Sequence, residues 1–135
     1  MILVTRKEHF SSSHKLHNPN VDKEKNELLF GKCNNFHGHN YYLEVTLSGE
    51  VDPESGYVVD LKLLKEIVLV EIIDKVDHKY LNDVEIFNNI IPTTENMAKK
   101  FWEILNPKLN FPNAKLYSLK LYETDKNFVE LRNDE

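Results

Sequence analysis

Three histidines and one cysteine form the part of this sequence with the clearest chemical potential. His37 and His39 are separated only by Gly38, Cys33 precedes them, and His14 follows three consecutive serines about twenty residues earlier. Zinc accepts imidazole nitrogens readily, and a centre with three protein ligands keeps its fourth position open for water or substrate. The pattern therefore predicts a catalytic zinc site formed by His14, His37 and His39.

Strand periodicity predicts how these histidines meet. If residues 37–48 are extended, side chains alternate between the two faces, so His37 and His39 point the same way. The rest of that face is apolar, with Tyr41, Leu43, Val45 and Leu47. In the N-terminal strand, His14 shares the parity of Phe10, whereas His9 has the opposite parity. Alternation thus favours His14 over His9 as the third ligand.

Two other interpretations of these residues remain open at this point. Cys33 can complete the tetrahedron and make the site a structural clip of one cysteine and three histidines, although structural zinc sites usually use several thiolates and this chain has one cysteine. Alternatively, each histidine is an ordinary polar residue. A pair on one strand face with a third histidine at a strand end favours the metal.

The composition predicts one soluble globular domain over residues 1–135, with 41% hydrophobic, 10% aromatic and 29% charged residues. No apolar run is long enough to span a membrane, and the early charges argue against a secretory signal. A single cysteine fits a reducing compartment, so we expect a cytoplasmic protein.

The net charge of −5 without a basic stripe argues against a nucleic-acid partner. An anionic small molecule would need local cations, and Lys15, Lys32 and Lys79 are candidates, although such lysines are more often solvated.

The apolar pattern predicts the element order β, β, α, α, β, β. The expected strands and helices cover residues 2–13, 37–50, 61–76, about 93–106, 115–123 and 127–131. Asp60 is placed to cap the first helix, Thr93 or Thr94 the second, and Pro107 to end it. Hairpins at both ends of the chain predict an α+β fold, with a four-stranded antiparallel sheet and two helices on one face. The uncovered edges of so small a sheet favour self-association.

Two further groups are candidates for chemistry. Glu123 shares the parity of Tyr117, Leu119 and Leu121, and a carboxylate on an apolar face needs a partner. A ligand with an amidine-like pair of N–H groups would bond both of its oxygens; the alternative is that Glu123 lies past the strand in solvent. Asp77 and His78, together with a thiol, are the parts of an activated nucleophile or a proton relay.

Taken together, these residues resemble the family of 6-pyruvoyl-tetrahydropterin synthase and its relative 6-carboxytetrahydropterin synthase. The similar segments occur in family order and cover nearly the whole chain: residues 10–16, 30–41, 49–53, 76–82, 92–96 and 122–124. The resemblance implies a tunnelling fold (T-fold), in which sheets of three subunits close into a barrel and two trimers stack into a hexamer. It also implies active sites at subunit interfaces.

The same resemblance implies roles for individual residues. His14, His37 and His39 would bind zinc, and Cys33 would be the base that removes a proton from the substrate side chain, with Asp77 and His78 as the relay. Substrate binding would involve Glu123, as anchor of the pterin, with Thr93 and Thr94 nearby. The implied substrate is 7,8-dihydroneopterin triphosphate, and the implied reaction is a lyase reaction in which triphosphate leaves.

The product is less clear from the sequence. Three residues separate Cys33 from His37, a spacing associated with the carboxy enzymes of queuosine biosynthesis, whereas the residues around Cys33 and Glu123 look more like the pyruvoyl branch. Because loop length changes where the base sits, we expect 6-carboxytetrahydropterin as the product. The alternatives are the 6-pyruvoyl product of a tetrahydrobiopterin-type route and a catalytically inactive protein that binds zinc or pterin.

Overall fold

An antiparallel sheet forms one layer of the protein, whose structure is a computed structural model that describes residues 1–134. The strand order is β1-β2-β4, and both β3 and β5 pair with β4. The predicted four strands are present, and the fifth is a two-residue strand that forms a hairpin with the start of β4. The strands are β1 (Ile2–His14), β2 (His37–Gly49), β3 (Asn110–Phe111), β4 (Ala114–Tyr122) and β5 (Phe128–Arg132).

Helices form the second layer. They are α1 (Lys23–Phe30), α2 (Leu61–Val68), α3 (Asp74–Val76) and α4 (Thr94–Leu105), with a π-helical turn (Leu69–Ile73) between α2 and α3 and 3₁₀ turns at Gly31–Asn34, Leu81–Asp83 and Glu85–Phe87. The predicted caps are confirmed: Asp60 accepts a hydrogen bond from the Lys62 N–H at 2.9 Å, and Thr93 accepts one from the Asn96 N–H at 3.1 Å.

The core lies between the helices and one face of the sheet. The β2 residues that share the parity of His37 and His39 are fully buried, as the alternation predicted: Tyr41, Leu43, Val45 and Leu47. Opposite them, Leu64, Val68, Phe101 and Leu105 are also fully buried. Each such side chain contributes on the order of 1.5–3 kcal/mol through removal of apolar surface from water. This packing holds the ends of β1 and β2 in place, where the histidines lie.

The π-helical turn interrupts the helix that the sequence predicted over residues 61–76. A π turn accommodates one more residue than an α turn. Here it lets the adjacent residues Ile72 and Ile73 both enter the core, while Val70 is exposed. The apolar residues of this segment are too closely spaced for one stripe on a regular α-helix. This is the physical reason why the structure has a π turn where the sequence predicted a continuous helix.

Helix α1 was not predicted, because residues 17–26 read as a polar connection. Leu28 and Leu29 of this helix are exposed, its buried side chain is the polar Asn26, and polar contacts hold it in place. Asp22 caps it by accepting a hydrogen bond from the Lys25 N–H at 2.7 Å. Asn26 is buried; its side-chain carbonyl accepts from the Asn18 N–H at 2.7 Å, and its amide donates to the Asn18 carbonyl at 3.0 Å. Hydropathy patterns do not detect a helix of this kind.

A β-bulge changes the parity of strand β4. The pairing between β2 and β4 shifts between Thr46 and Leu47, so that Leu47 lies opposite Leu116 and Thr46 opposite Ser118. Tyr117 is the extra residue and is only partly buried, whereas Leu116 and Leu119 are fully buried. The expectation that Tyr117 shares the buried face was therefore wrong, because a bulge adds one residue to one strand.

Gly49 lies where the ends of β2 and β4 approach most closely. A Cβ built on Gly49 would lie 2.8 Å from both the Cα and the Cβ of Ala114 and close to the Asn113 carbonyl oxygen, and these atoms cannot move aside without a shift of the backbone. We expect Gly49→Ala to lower the free energy of unfolding by about 2 to 3 kcal/mol, measured by urea denaturation. Gly56→Ala is the control, because Gly56 has open space around it and its φ of 79° alone costs about 1 kcal/mol. Equal losses in the two variants would contradict the close approach.

Candidate metal centre and adjoining residues

The ends of β1 and β2 bring the three predicted histidines together. His14 lies directly opposite His37 in the antiparallel pairing, and His39 lies opposite Ser12. One nitrogen from each of the three rings lies within 4.8 Å of the others, and within residues 1–134 these histidines form the one such group able to hold a metal. The ring centroids are 4.5 Å apart for His14 and His37 and 5.0 Å apart for His37 and His39.

Backbone carbonyls orient two of these rings. The His14 Nδ1 donates to the Pro92 carbonyl at 2.8 Å, and the His37 Nδ1 donates to the Asn35 carbonyl at 2.7 Å. A proton on Nδ1 leaves the lone pair on Nε2, which is how metal-binding histidines are usually held. The Nε2 atoms of His14 and His39 are buried and have no hydrogen-bond partner within residues 1–134. Buried unpaired nitrogens that converge in this way fit a zinc ion.

Burial also favours the neutral form that a metal requires. Desolvation is the largest cause that lowers the pKa of His14, and the nearby His37 and His39 lower it further, against an opposing hydrogen bond to Pro92. Desolvation likewise lowers the pKa of His39, although the Glu123 carboxylate opposes this shift. Because only a neutral imidazole can donate its lone pair to a metal, the surroundings prepare both rings for coordination.

Cys33 lies in the 3₁₀ turn Gly31–Asn34 and is exposed. Its thiol is not part of the group formed by the three histidines, so the geometry does not support the structural clip of one cysteine and three histidines. A hydrogen bond from the Leu16 N–H to the Cys33 carbonyl, 2.8 Å long, ties this turn to the segment that follows His14. This hydrogen bond fixes the backbone of the turn relative to the strand that ends at His14.

Asp77 and His78 form the pair that the sequence predicted. The His78 Nδ1 lies 3.0 Å from the Asp77 Oδ1, which also accepts a hydrogen bond from the Ser11 N–H at 3.0 Å. The Ser11 hydrogen bond is the main cause that lowers the pKa of Asp77, and His78 adds to it. Adjacent side chains meet here because His78 has a φ of 59°, a left-handed conformation that costs on the order of 1–3 kcal/mol outside glycine. Within residues 1–134, neither group forms a hydrogen bond or ion pair with Cys33.

Glu123 lies immediately after β4 and is partly buried beside the histidines. Its Oε2 is 3.8 Å from the His39 Nε2 and accepts a hydrogen bond from the Thr94 Oγ1 at 2.8 Å. Glu123 thus lies past the strand, as the alternative held, but its partly buried carboxylate is paired with Thr94 and is not free in solvent. A cavity of about 370 Å³, which we call the Glu123 cavity, is lined by Leu16, Thr93, Thr94, Glu123, Asn127 and Phe128. Thr94 contacts the carboxylate, whereas the Thr93 side chain caps α4.

Sequence reasoning missed the groups that orient the site. The carbonyls of Pro92 and Asn35, which hold His14 and His37, belong to the backbone and leave no signal in residue types. Tyr41 was assigned to the apolar face, yet its hydroxyl lies 3.4 Å from the His14 Nδ1, and burial raises its pKa far above the usual range. Tyr41 lies two residues after His39 and therefore on the same strand face, and this spacing could have indicated that its hydroxyl lies near the histidines.

Fold and site together define a class: a T-fold protein with a three-histidine centre suited to a metal. A model of the 6-pyruvoyl tetrahydropterin synthase family matches residues 3–134. The chain belongs to this family, and its members are enzymes of the lyase class.

Relatives of known name cover most of this chain. The chain is 43% identical over 136 residues to the 6-pyruvoyl tetrahydrobiopterin synthase of Dictyostelium discoideum, a match that covers 98% of this chain and 97% of that protein. It is 45% identical over 129 residues to the protein of the same name from Homo sapiens, with coverage of 93% and 88%.

Solved structures agree with the fold. The 6-pyruvoyl tetrahydropterin synthase of Caenorhabditis elegans superimposes with a TM-score of 0.81 at 41% identity, over 98% of this chain and 96% of that one. The Plasmodium falciparum protein of the same name superimposes with a TM-score of 0.63 at 17% identity, over 98% and 97% of the two chains, and supports the fold alone. None of the helices within residues 1–134 is long and apolar enough to cross a membrane.

Proposed function

We propose that this protein converts 7,8-dihydroneopterin triphosphate to 6-pyruvoyl tetrahydropterin with release of triphosphate, using zinc held by His14, His37 and His39. The observation that carries the proposal is the position of the Glu123 carboxylate, 3.8 Å from one of three convergent histidines. This reaction needs two parts. One is a carboxylate that anchors the pterin ring, and the other is a metal centre that faces the side chain of the substrate.

The choice of the pyruvoyl product departs from the expectation based on the spacing between Cys33 and His37. Relatives at 43% and 45% identity over nearly the whole chain are named as pyruvoyl enzymes, and this resemblance extends far beyond one loop. Loop length alone therefore carries less weight than the rest of the sequence. The comparisons favour the pyruvoyl alternative over 6-carboxytetrahydropterin and the queuosine route.

Glu123 is proposed to bind the pterin ring. The amino group and ring N–H of a pterin form an amidine-like edge, which can donate to both oxygens of a carboxylate. The hydrogen bond from Thr94 fixes one of these oxygens, so the carboxylate is oriented before the ligand arrives. Thr93 lines the same cavity, and its side chain is already engaged as a helix cap.

Proton transfer is assigned to Cys33 and to the pair of Asp77 and His78. Zinc, when bound to the three Nε2 atoms, would supply a Lewis acid for the substrate side-chain hydroxyls. Cys33 is proposed to take a proton from the carbon beside them. The Asp77 carboxylate holds the His78 ring by its Nδ1, which leaves Nε2 to accept or return a proton.

The proposed reaction needs no external oxidant. Removal of a side-chain proton and departure of triphosphate leave an enol, which becomes a methyl ketone. Oxidation of the remaining side-chain alcohol to a second ketone supplies two electrons and two protons, and the ring takes them up when it passes from the dihydro to the tetrahydro level. Electrons and protons therefore balance within one molecule.

We also propose that the protein assembles as a hexamer of two stacked trimers, with active sites between subunits. The family resemblance implies this arrangement. The structure supports association in one respect: within residues 1–134, the outer edge of β1 is joined only near its end, through the isolated bridge of Ser13 with Tyr80 and the neighbouring hydrogen bonds. Residues 2–10 thus leave a strand edge open to a second copy.

Product analysis tests the proposed function. Zinc-loaded protein is incubated with 7,8-dihydroneopterin triphosphate, and the pterin products are identified by mass spectrometry. We expect 6-pyruvoyl tetrahydropterin together with an equimolar amount of inorganic triphosphate. The 6-carboxy product would show that the spacing of Cys33 was the better guide, and unchanged substrate that remains bound would favour an inactive pterin-binding protein.

A further inference from the structure

A second cavity includes His39 in its lining, and Glu123 is not among its lining residues. It measures about 480 Å³ and is formed by three short segments, namely Ser11 to Ser13 of β1, Gly38 to Asn40 of β2, and residues 78–80. We call it the serine cavity. His39 belongs to its lining and also lies 3.8 Å from Glu123, so this one histidine adjoins both cavities.

Backbone hydrogen bonds hold the walls of the serine cavity together. The Ser13 N–H donates to the Lys79 carbonyl at 3.0 Å, and the His78 N–H donates to the Ser11 carbonyl at 2.7 Å. Residues 78–80 therefore lie against β1 like a short additional strand. As a result, the side chains of His78 and Lys79 start from fixed backbone positions beside the serines.

Among residues 1–134, those that line the cavity carry hydrogen-bonding groups and no carboxylate. The Ser11 hydroxyl already donates to the Asn40 Oδ1 at 2.6 Å, and the Ser12 hydroxyl donates to the Val76 carbonyl at 2.6 Å. The donors that remain for an anion are the Ser13 hydroxyl, the Asn40 NH₂ group, the His78 Nε2 and the Lys79 ammonium. The nearest acid along the chain, Asp77, is already engaged by the Ser11 N–H and by His78. The chain as a whole has a net charge of −5, so a pocket without acidic side chains differs from its average composition.

Lys79 is the cation that this cavity leaves available. Within residues 1–134 its ammonium forms neither a hydrogen bond nor an ion pair. Lys75, four residues earlier along the chain, is engaged instead, with its Nζ 3.7 Å from the Glu71 carboxylate. A lysine without an acidic partner, beside a hydroxyl and an amide that can donate, suits a phosphate group, whose oxygens accept several hydrogen bonds at once.

We propose that the serine cavity binds the triphosphate group of the substrate, with Lys79 as its principal charged contact. This inference rests on the proposed function, which supplies the triphosphate. The pterin ring would occupy the Glu123 cavity and the triphosphate the serine cavity, so the carbon chain between them crosses His39. The reacting carbons are thereby placed at the metal centre, and the leaving group lies where a cation can stabilise its charge.

Binding of inorganic triphosphate tests this assignment without requiring turnover. Isothermal titration calorimetry compares the zinc-loaded wild-type protein with Lys79→Ala and Lys75→Ala, at zinc contents matched by metal analysis after each titration. We expect Lys79→Ala to weaken binding about tenfold or more, because a charge-assisted contact is lost. Lys75→Ala removes the same charge from a neighbouring position and is expected to bind as the wild type does.

The outcomes separate this inference from the proposed function. Unchanged affinity in Lys79→Ala, or an equal loss in both variants, overturns the serine cavity as the triphosphate site, even if the protein makes 6-pyruvoyl tetrahydropterin. Conversely, a loss confined to Lys79→Ala supports the site even if the pterin substrate is not turned over. In an active protein, the same variant should also raise the KM for the pterin triphosphate by a similar factor.

Discussion

Replacing His37 by alanine is expected to abolish zinc binding and to lower turnover by more than about 100-fold. The variant loses one of three convergent nitrogens, and even residues that only support a metal ligand change metal affinity or activity by about 10- to 100-fold when replaced. Metal analysis of the purified protein and the rate of triphosphate release measure the two effects. The fold should be retained, because the His37 side chain is only partly buried and lies at the end of β2.

His9→Ala is the matched control for this prediction. His9 lies on the same strand as His14 but on the face away from the core, where its ring is 6.0 Å from that of Tyr42. This variant should keep its zinc and its activity. Removal of zinc from the wild type with a chelator should likewise stop turnover while circular dichroism shows retained secondary structure. Unfolding on chelation would instead indicate a structural metal, and zinc retention in His37→Ala would contradict the ligand assignment.

Cys33→Ala is expected to lower turnover by about 10²- to 10⁴-fold and to leave the zinc content unchanged. This range is typical of the loss of a general base. Zinc is retained because the thiol does not belong to the group formed by the histidines, and the fold is retained because Cys33 is exposed. The measurement combines steady-state kinetics with metal analysis of the same preparation.

Cys33→Ser serves as the companion variant, since it preserves the size of the side chain and replaces the thiol with a much weaker acid. It should lose activity nearly as completely as the alanine variant if proton transfer is the role of Cys33. Full activity of either variant would remove Cys33 from the mechanism. Loss of zinc in parallel with activity would instead revive the structural clip, with Cys33 as a ligand.

Much of the fold was predictable because it depends on local periodicity. The alternation of β2 predicted that His37 and His39 share one face and the pattern of β1 favoured His14 over His9, and the structure brings His14, His37 and His39 together. Strand and helix limits agree within one or two residues, and the caps at Asp60 and Thr93 are present. These features follow from side chains within a few positions of one another, which a sequence displays directly.

Other features could not be predicted because they depend on contacts or on small irregularities. Helix α1 is held by Asn26, whose partners are backbone groups of residues 18, 21 and 22. The bulge in β4 moves Tyr117 off the buried face through one extra residue. The π turn after α2 likewise adds one residue to a turn of the helix, and Ile73 enters the core as a result. Each of these breaks the simple period on which the prediction relied.

The sequence by itself determined which residue types were available for chemistry and which strand faces carried them, since alternation is a property of the chain alone. Only the tertiary structure decided which imidazole nitrogens are free: the carbonyl that orients His14 belongs to Pro92, 78 residues away. It likewise placed Glu123 beside His39 and Thr94, and Lys79 beside Ser13. Such positions arise from packing between distant segments, and no local pattern encodes them.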